Sequence, residues 1–258
     1  MEILRADPAG NITLLVRGAV AGADRAGIAA ELMHDLRLAP EQVGFLCAPL
    51  LGGAGRLEMM GGEFCGNAAR AVGLLLARER GRSGEVAVEL SGCSAPVRVW
   101  ADCARAEARA QMPLPLSVEP IRLAETNCTL VRLEGIVHAV APAAAEAKPL
   151  LDALERRLAG SAGAFGVMLL DTDSDALHMT PVVRVTATGT TVWESSCGSG
   201  TVAAAAALSA TRSDGEDAWT LVQPGGTLTV RVCRQAGALT FAEIGGPVQI
   251  DPPVWLEW

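Results

Sequence analysis

Short segments such as NITLLVRG, VVRVTATG and LTFAEIGG set Val, Leu, Thr and Arg in the every-second-residue rhythm of half-buried strands. Two stretches break that rhythm. NAARAVGLLLARERG carries apolar residues at helical spacing, with Gly81 placed as a C-terminal stop, and predicts a mostly buried helix. GSGTVAAAAALSATRSDG repeats the pattern with still smaller side chains, as a helix enclosed on all sides requires. Behind each helix comes strand, turn and strand, EVAVELSGCSAPVRVWA in the first half and WTLVQPGGTLTVRVC in the second.

The two halves share one offset. Cys65 to Cys197 is 132 residues, Gly92 to Gly225 is 133, and Arg98 to Arg231, each within V-R-V, is 133. A cysteine, a turn and a strand travelling together indicate a duplicated unit, too long and too few in copies for a solenoid. The pattern predicts an α+β chain of two pseudo-symmetric lobes, each an antiparallel sheet wrapped around one central helix. Prolines cluster in QMPLPLSVEP and place the divide there. The N-terminal lobe is then 1–116 and carries Cys65, with a last strand at 250–258 returning to it; the C-terminal lobe is 117–249 and carries Cys197.

Composition narrows the chemistry. With 21 Lys+Arg against 29 Asp+Glu the net charge is −8, which argues against a nucleic-acid partner held by its phosphates. No basic n-region opens the chain and no apolar run approaches membrane-spanning length, so no membrane partner and a cytoplasmic location are expected. Seven scattered cysteines fit a reducing compartment better than a disulfide framework. His34, His138 and His178 do not stand at ligand spacing and no Cys/His cluster occurs, so no metal is expected. Tyrosine is absent, which leaves acid–base work to Cys, Asp, Glu, Lys or those few histidines.

Cys65 and Cys197 each precede a helix. The unpaired N–H groups and dipole of a first turn stabilise negative charge and can lower a thiol pKa from ~8.5 to roughly 3.5–7.5. Gly66 and Gly198 leave the same N–H groups open to a carboxylate. If the two lobes face one another, a small carboxylate has one sulfur on each side of its α-carbon. One thiolate then removes the α-proton and the opposite thiol delivers another to the second face.

The fragments EFCGNAAR and ESSCGSGT, with PGGTLTV and a closing IGGPV, resemble the diaminopimelate epimerase-like family, whose two motifs read around C-G-N-G-A-R and A-C-G-S-G. The resemblance covers nearly the whole chain, including Gly10-Asn11 and Val43–Phe45. It implies two lobes, each a β-barrel around a central helix, and a racemase or epimerase that needs neither pyridoxal phosphate nor metal. Carried over by position, Cys65 and Cys197 are the acid/base pair; Gly66, Asn67, Gly198 and Ser199 hold the substrate carboxylate; Asn11 lines the cleft. Relatives of this kind imply a homodimer.

Positions that would hold the far end of diaminopimelate differ. LEMMGGEF is shortened, GIVH stands for G-N-P-H, TATGTTVWESS replaces the segment with E-R-G, and Cys47 stands where a glutamine follows V-G-F by two positions. A site built for a second zwitterionic head cannot lose those partners without stranding buried polar groups, so a single-headed amino acid is the expected substrate and a diaminopimelate epimerase the alternative. VWESSCGSG is similar to the histidine racemases of opine metallophore pathways, which points to histidine, with Glu194 for the α-ammonium. A Cys hydrolase lacks a base histidine near either cysteine. A thiol–disulfide switch could use the same pair. Simple carboxylate binding does not need two thiols. LGGAGRLEMMGG has no phosphate-loop ending and reads as a flexible segment leading into the active site.

Overall fold

The computed structural model describes residues 1–256; Glu257 and Trp258, the end of the expected 250–258 strand, lie outside the described residues. The chain is a mixed α+β protein, mostly strand with four helices among the described residues. Its contacts divide it into two units, Met1–Gln111 together with the segment from Gly245 onward, and Met112–Ile244.

In the first unit β1 (Glu2–Asp7) pairs antiparallel with β2 (Thr13–Arg17), Ile3 opposite Val16. Helix α1 (Arg25–Met33) then crosses to β3 (Gln42–Cys47), which lies parallel to β2 with Thr13 opposite Gln42. β4 (Gly55–Met59) returns antiparallel, and α2 (Gly66–Glu79) crosses to β5 (Gly84–Leu90), parallel to β4. β6 (Val97–Asp102) and β7 (Glu107–Gln111) complete an antiparallel meander, while Gln249–Ile250 and Val254–Trp255 pair with β1.

The sheet has helices on two sides. Ile3, Leu14, Val16, Val43 and Phe45 form one core with Ile28, Ala29 and Leu32 of α1. Leu4, Leu15, Leu57, Val99, Ala101 and Ala110 form a larger one around α2. Burial on both faces explains why β2 reads as the unbroken apolar run TLLV rather than an alternation. Helix α2 buries Ala68, Ala69, Ala71 and Gly73 beside its larger residues, and small side chains let strands close around it.

The second unit repeats the order. β8 (Ser117–Leu123), β9 (Thr126–Arg132) and β10 (Ile136–Pro142) run antiparallel. Helix α3 (Ala147–Leu158) crosses to β11 (Ala164–Asp171), parallel to β10, followed by β12 (Leu177–Val185) and β13 (Thr190–Trp193). Helix α4 (Gly198–Ser209) leads to β14 (Gly215–Gln223), whose end lies parallel to the start of β12, then β15 (Gly226–Gln235) and β16 (Ala238–Pro247). Each unit thus contains two crossover helices rather than the one expected from the sequence. The additional pair, α1 and α3, covers its own core, with Leu150, Leu151, Leu154 and Leu158 of α3 packed on Phe165 and Val167.

The Gly-rich LGGAG segment is not a loose flap. The Glu89 carboxylate is 3% exposed and accepts backbone N–H bonds from Leu50 (2.7 Å), Leu51 (2.6 Å) and Gly53 (2.9 Å), and β4 begins two residues later. Burial pushes the Glu89 pKa up, but those three N–H groups and the Arg56 charge together hold it below its ordinary value. Its contribution to stability is therefore present above the unfolded-state pKa and is lost as pH falls through the lower, folded value. Glu89→Gln lowers the melting temperature at neutral pH, converges with the parent in acid, and loses hydrogen-exchange protection at Leu50, Leu51 and Gly53. Unchanged protection at those amides would show that the loop is held by something else.

Candidate active site

Each cysteine of the repeated motif is the N-cap of its helix. Cys65 has φ −128° and ψ 112°, Cys197 φ −122° and ψ 112°, and each sulfur accepts the backbone N–H three residues on, from Ala68 (3.4 Å) and Gly200 (3.3 Å). Each carbonyl accepts the first helical bond, from Ala69 and Thr201, both at 2.9 Å. Sulfur thus fills the place that Ser, Thr, Asp or Asn usually takes. Neither first turn contains an acidic residue, so the positive end of each helix dipole acts on the sulfur.

In the first unit the sulfur meets a set of amides. Gln42, at the start of β3, places its Nε2 3.2 Å from Cys65 Sγ, 2.8 Å from Asn11 Oδ1 and 2.7 Å from Thr13 Oγ1. Asn11 Oδ1 is 3.9 Å from the sulfur, and its Nδ2 donates to Glu41 Oε2 at 2.7 Å. Both ends of the Asn11 amide are therefore engaged by its neighbours. One turn into α2, Arg70 is wholly buried; it donates to Asn67 Oδ1 (3.0 Å), Ala108 O (3.0 Å) and Pro247 O (2.8 Å). Burial lowers the Arg70 pKa to about 10, opposed by the attraction of a charge at Cys65.

The second unit surrounds its sulfur differently. The Glu194 carboxylate accepts a hydrogen bond from the Cys197 thiol. Ser199 Oγ lies 3.5 Å from Cys197 Sγ and 2.8 Å from His138 Nε2. Behind the motif, Gln223 accepts the Cys197 backbone N–H (2.9 Å) and donates to Thr201 Oγ1 (2.9 Å), whose hydroxyl donates to Cys197 O (2.6 Å). A Cβ at Gly200 would lie 2.1 Å from Met168 Sδ and 3.1 Å from Cys197 Sγ, so a side chain there would displace Met168 and crowd the sulfur.

Helix ends alone do not set these thiols. Burial pushes Cys65 up, opposed by the N–H groups of Ala68 and Asn67 and by Gln42, with Glu63 adding to the rise. Burial pushes Cys197 well up, reinforced by the charge and hydrogen bond of Glu194 and opposed by Ser199 and Gly200. The lowered thiol pKa expected from the dipole is thus overturned in the free protein, where desolvation of a charged sulfur outweighs one helix terminus.

The structure gathers Asn11, Gly66 and Asn67 with Cys65, and Glu194, Gly198 and Ser199 with Cys197. Sequence reasoning does not find Gln42, Thr13, Arg70, Gln223 or Thr201, and it misplaces His138. That histidine belongs to the Cys197 cluster, contrary to the expectation that no histidine lies near either cysteine. Burial pushes its pKa down to about 3 and its Nε2 contacts Ser199, not sulfur, so it is too weak and too indirect to serve as the base of a hydrolase. All seven cysteines are free. No group of three His, Cys, Asp or Glu is gathered among the described residues.

Residues 1–252 match the family described as the histidine racemase CntK N-terminal domain. A histidine racemase from Fusobacterium nucleatum is 35% identical over 216 residues, covering 79% of this chain and 78% of that protein. One from Staphylococcus aureus is 31% identical over 255 residues, covering 93% and 92%. Among solved structures, a hydroxyproline epimerase from Agrobacterium vitis with bound trans-4-hydroxy-L-proline superposes with a TM-score of 0.68 at 16% identity, covering 98% of this chain and 91% of that one. A PhzF-family phenazine biosynthesis protein from Bacillus anthracis gives 0.68 at 14% identity, covering 99% of both. Those two share the fold, whereas the match across residues 1–252 and the two racemases carry the family: the chain belongs to the histidine racemases.

Proposed function

We propose that this chain interconverts L- and D-histidine by direct proton transfer between the substrate α-carbon and two thiols, one from each unit. The observation that carries the reading is the repeated N-cap cysteine, with the same backbone angles and the same sulfur-to-N–H bond in both units. Packing does not ask for that twice at one offset; a reaction with two mirror-related directions does. The finer architecture belongs to the same reading. α2 packs on β4, β5, β6 and β7, and α4 on β9, β10, β11, β14 and β15, which supports a β-barrel wrapped around a helix in each unit, as in the diaminopimelate epimerase-like family.

In the proposed cycle the substrate carboxylate takes the N–H groups of Gly66, Asn67, Gly198 and Ser199, and Glu194 takes the α-ammonium, with Asn11 fixing the Cys65 side. A thiolate at one cysteine removes the α-proton, breaking the C–H bond and forming S–H. The electron pair spreads into the carboxylate, where helix N-termini stabilise it. The second cysteine then gives its thiol proton to the opposite face and is left as the thiolate. No electron enters or leaves, and the protein ends with its two protonation states exchanged. D-Histidine would go on to build an opine metallophore, and a cytoplasmic homodimer completes the reading.

The test is α-proton exchange followed by NMR. Reduced protein in D₂O removes the α-proton signal of L-histidine and yields D-histidine, while diaminopimelate keeps its signal. Exchange with diaminopimelate and not histidine makes the chain an epimerase of that substrate. Absence of exchange with either removes the two-thiol reading altogether.

A further inference from the structure

The two thiols stand in the same place on their helices but in opposite electrostatic company. Around Cys65 the Ala68 N–H and the Gln42 amide donate to sulfur, and the acceptor it meets, Asn11 Oδ1 at 3.9 Å, is neutral. Arg70, five residues along the same helix, is wholly buried, and its three bonds go to the Asn67 side-chain carbonyl and to two backbone carbonyls. None of these acceptors carries a charge. A buried guanidinium held by neutral oxygens alone is costly unless a negative charge forms within its field. The position equivalent to Arg70 in the second unit, five residues after Cys197, is Val202. There the sulfur donates to the Glu194 carboxylate, and the histidine behind Ser199 is neutral.

We infer that the free enzyme is built to ionise its two thiols unequally: Cys65 loses its proton before Cys197, Cys197 is the thiol that donates to Glu194, and Arg70 is the positioning residue that creates the difference. The inference rests on the pair being the acid and base of the reaction, but it concerns the sulfurs before substrate arrives. Other charges near each site are accounted for. Glu63 acts against a Cys65 thiolate, and Glu41 is engaged by Asn11 Nδ2. Cys197 faces Glu194, with His138 reached only through Ser199. Burial raises both thiols, but Cys197 is the one pushed furthest from its ordinary value.

The consequence is that the singly ionised enzyme is loaded first for one enantiomer, and it reaches the state needed for the other by turning over or by exchanging protons with solvent. Substrate would also release the hold on Cys197, since an ammonium bound at Glu194 removes the acceptor of its thiol proton and the negative charge beside it.

Alkylation with iodoacetamide across a pH series, resolved by peptide mass spectrometry, reads each sulfur separately. The pH midpoint of the rate measures ionisation whatever the accessibility of the thiol. Cys65 is expected to show a midpoint lower than that of Cys197 by about one pH unit or more, the effect of a single well-placed charge. Arg70→Met raises the Cys65 midpoint, Arg70→Lys restores most of the shift, and neither moves Cys197. Glu194→Gln lowers the Cys197 midpoint and narrows the gap, and it keeps the inference testable if Arg70→Met fails to fold. Equal or reversed midpoints in the parent overturn the inference, as does a folded Arg70→Met with Cys65 unmoved. Histidine α-proton exchange measured on the same samples separates that failure from failure of the racemase reading.

Discussion

Serine at either Cys65 or Cys197 lowers histidine racemisation by about 10²–10⁴-fold, the range expected when a general acid or base is removed from a proton transfer. The fold should not suffer, because serine is itself a preferred N-cap and its hydroxyl can accept the Ala68 or Gly200 N–H that sulfur accepts now. Circular dichroism and melting temperature close to the parent would place the loss in the chemistry. The two variants should also fail differently. With one sulfur left, that thiolate can still remove the α-proton from the enantiomer it faces and return solvent deuterium to the same face. Each variant then exchanges one enantiomer of histidine without inverting it, and the two choose opposite enantiomers. Racemisation persisting in both variants would show that neither thiol is an obligatory proton carrier.

Much of this site is written in local signals. A cysteine, a glycine and a run of small residues are contiguous in both halves, and their common offset needs no structure to be seen. What surrounds the sulfurs is not contiguous. Gln42 reaches Cys65 across 23 residues, His138 reaches Ser199 across 61, and Arg70 is bonded to carbonyls 38 and 177 residues away. A glutamine at the start of a buried strand, or an arginine in an apolar helix, carries no local mark of its partner. The same distance problem hides the anchoring of Leu50–Gly53 by Glu89, so glycines that suggest mobility alone are in fact held.

The helices divide along the same line. α3 carries a period in its leucines at 150, 151, 154 and 158, on one buried face, which the expectation of one helix per lobe passes over. α1 is short and offers little contrast between its faces, and only the core beneath it makes it a helix. The finding of two helices per unit changes what is asked of α2 and α4. They are the closely enclosed pair, and they are also the pair that carries the cysteines.

Gly73→Ala tests how tightly that enclosure is set, because two effects of opposite sign meet there. In an exposed helix the change would add about 1 kcal/mol of stability by restricting the unfolded backbone. Here the new Cβ would lie 2.3 Å from Val99 Cγ1 and 2.7 Å from Val99 Cβ. Valine is branched at that carbon and stiff at χ1, so it cannot turn aside, and Val99 is itself fully buried on β6. Overpacking of this kind costs about 1–3 kcal/mol, and contact with a Cβ belongs at the upper end, leaving a net loss of about 2 kcal/mol. The strain is relieved by moving α2 away from β6, and Cys65 caps that helix. A displacement on the order of 1 Å at a reacting group can cost about 10²-fold in rate, so activity should fall further than stability suggests. Val99→Ala alone leaves a cavity and destabilises. Combined with Gly73→Ala it makes room for the new methyl group, so the double variant should be more stable and more active than the sum of the single changes allows. Gly73→Ala raising the melting temperature with activity intact would mean that α2 has room to spare against β6, and that the position of Cys65 is set by its own hydrogen bonds rather than by the packing of its helix.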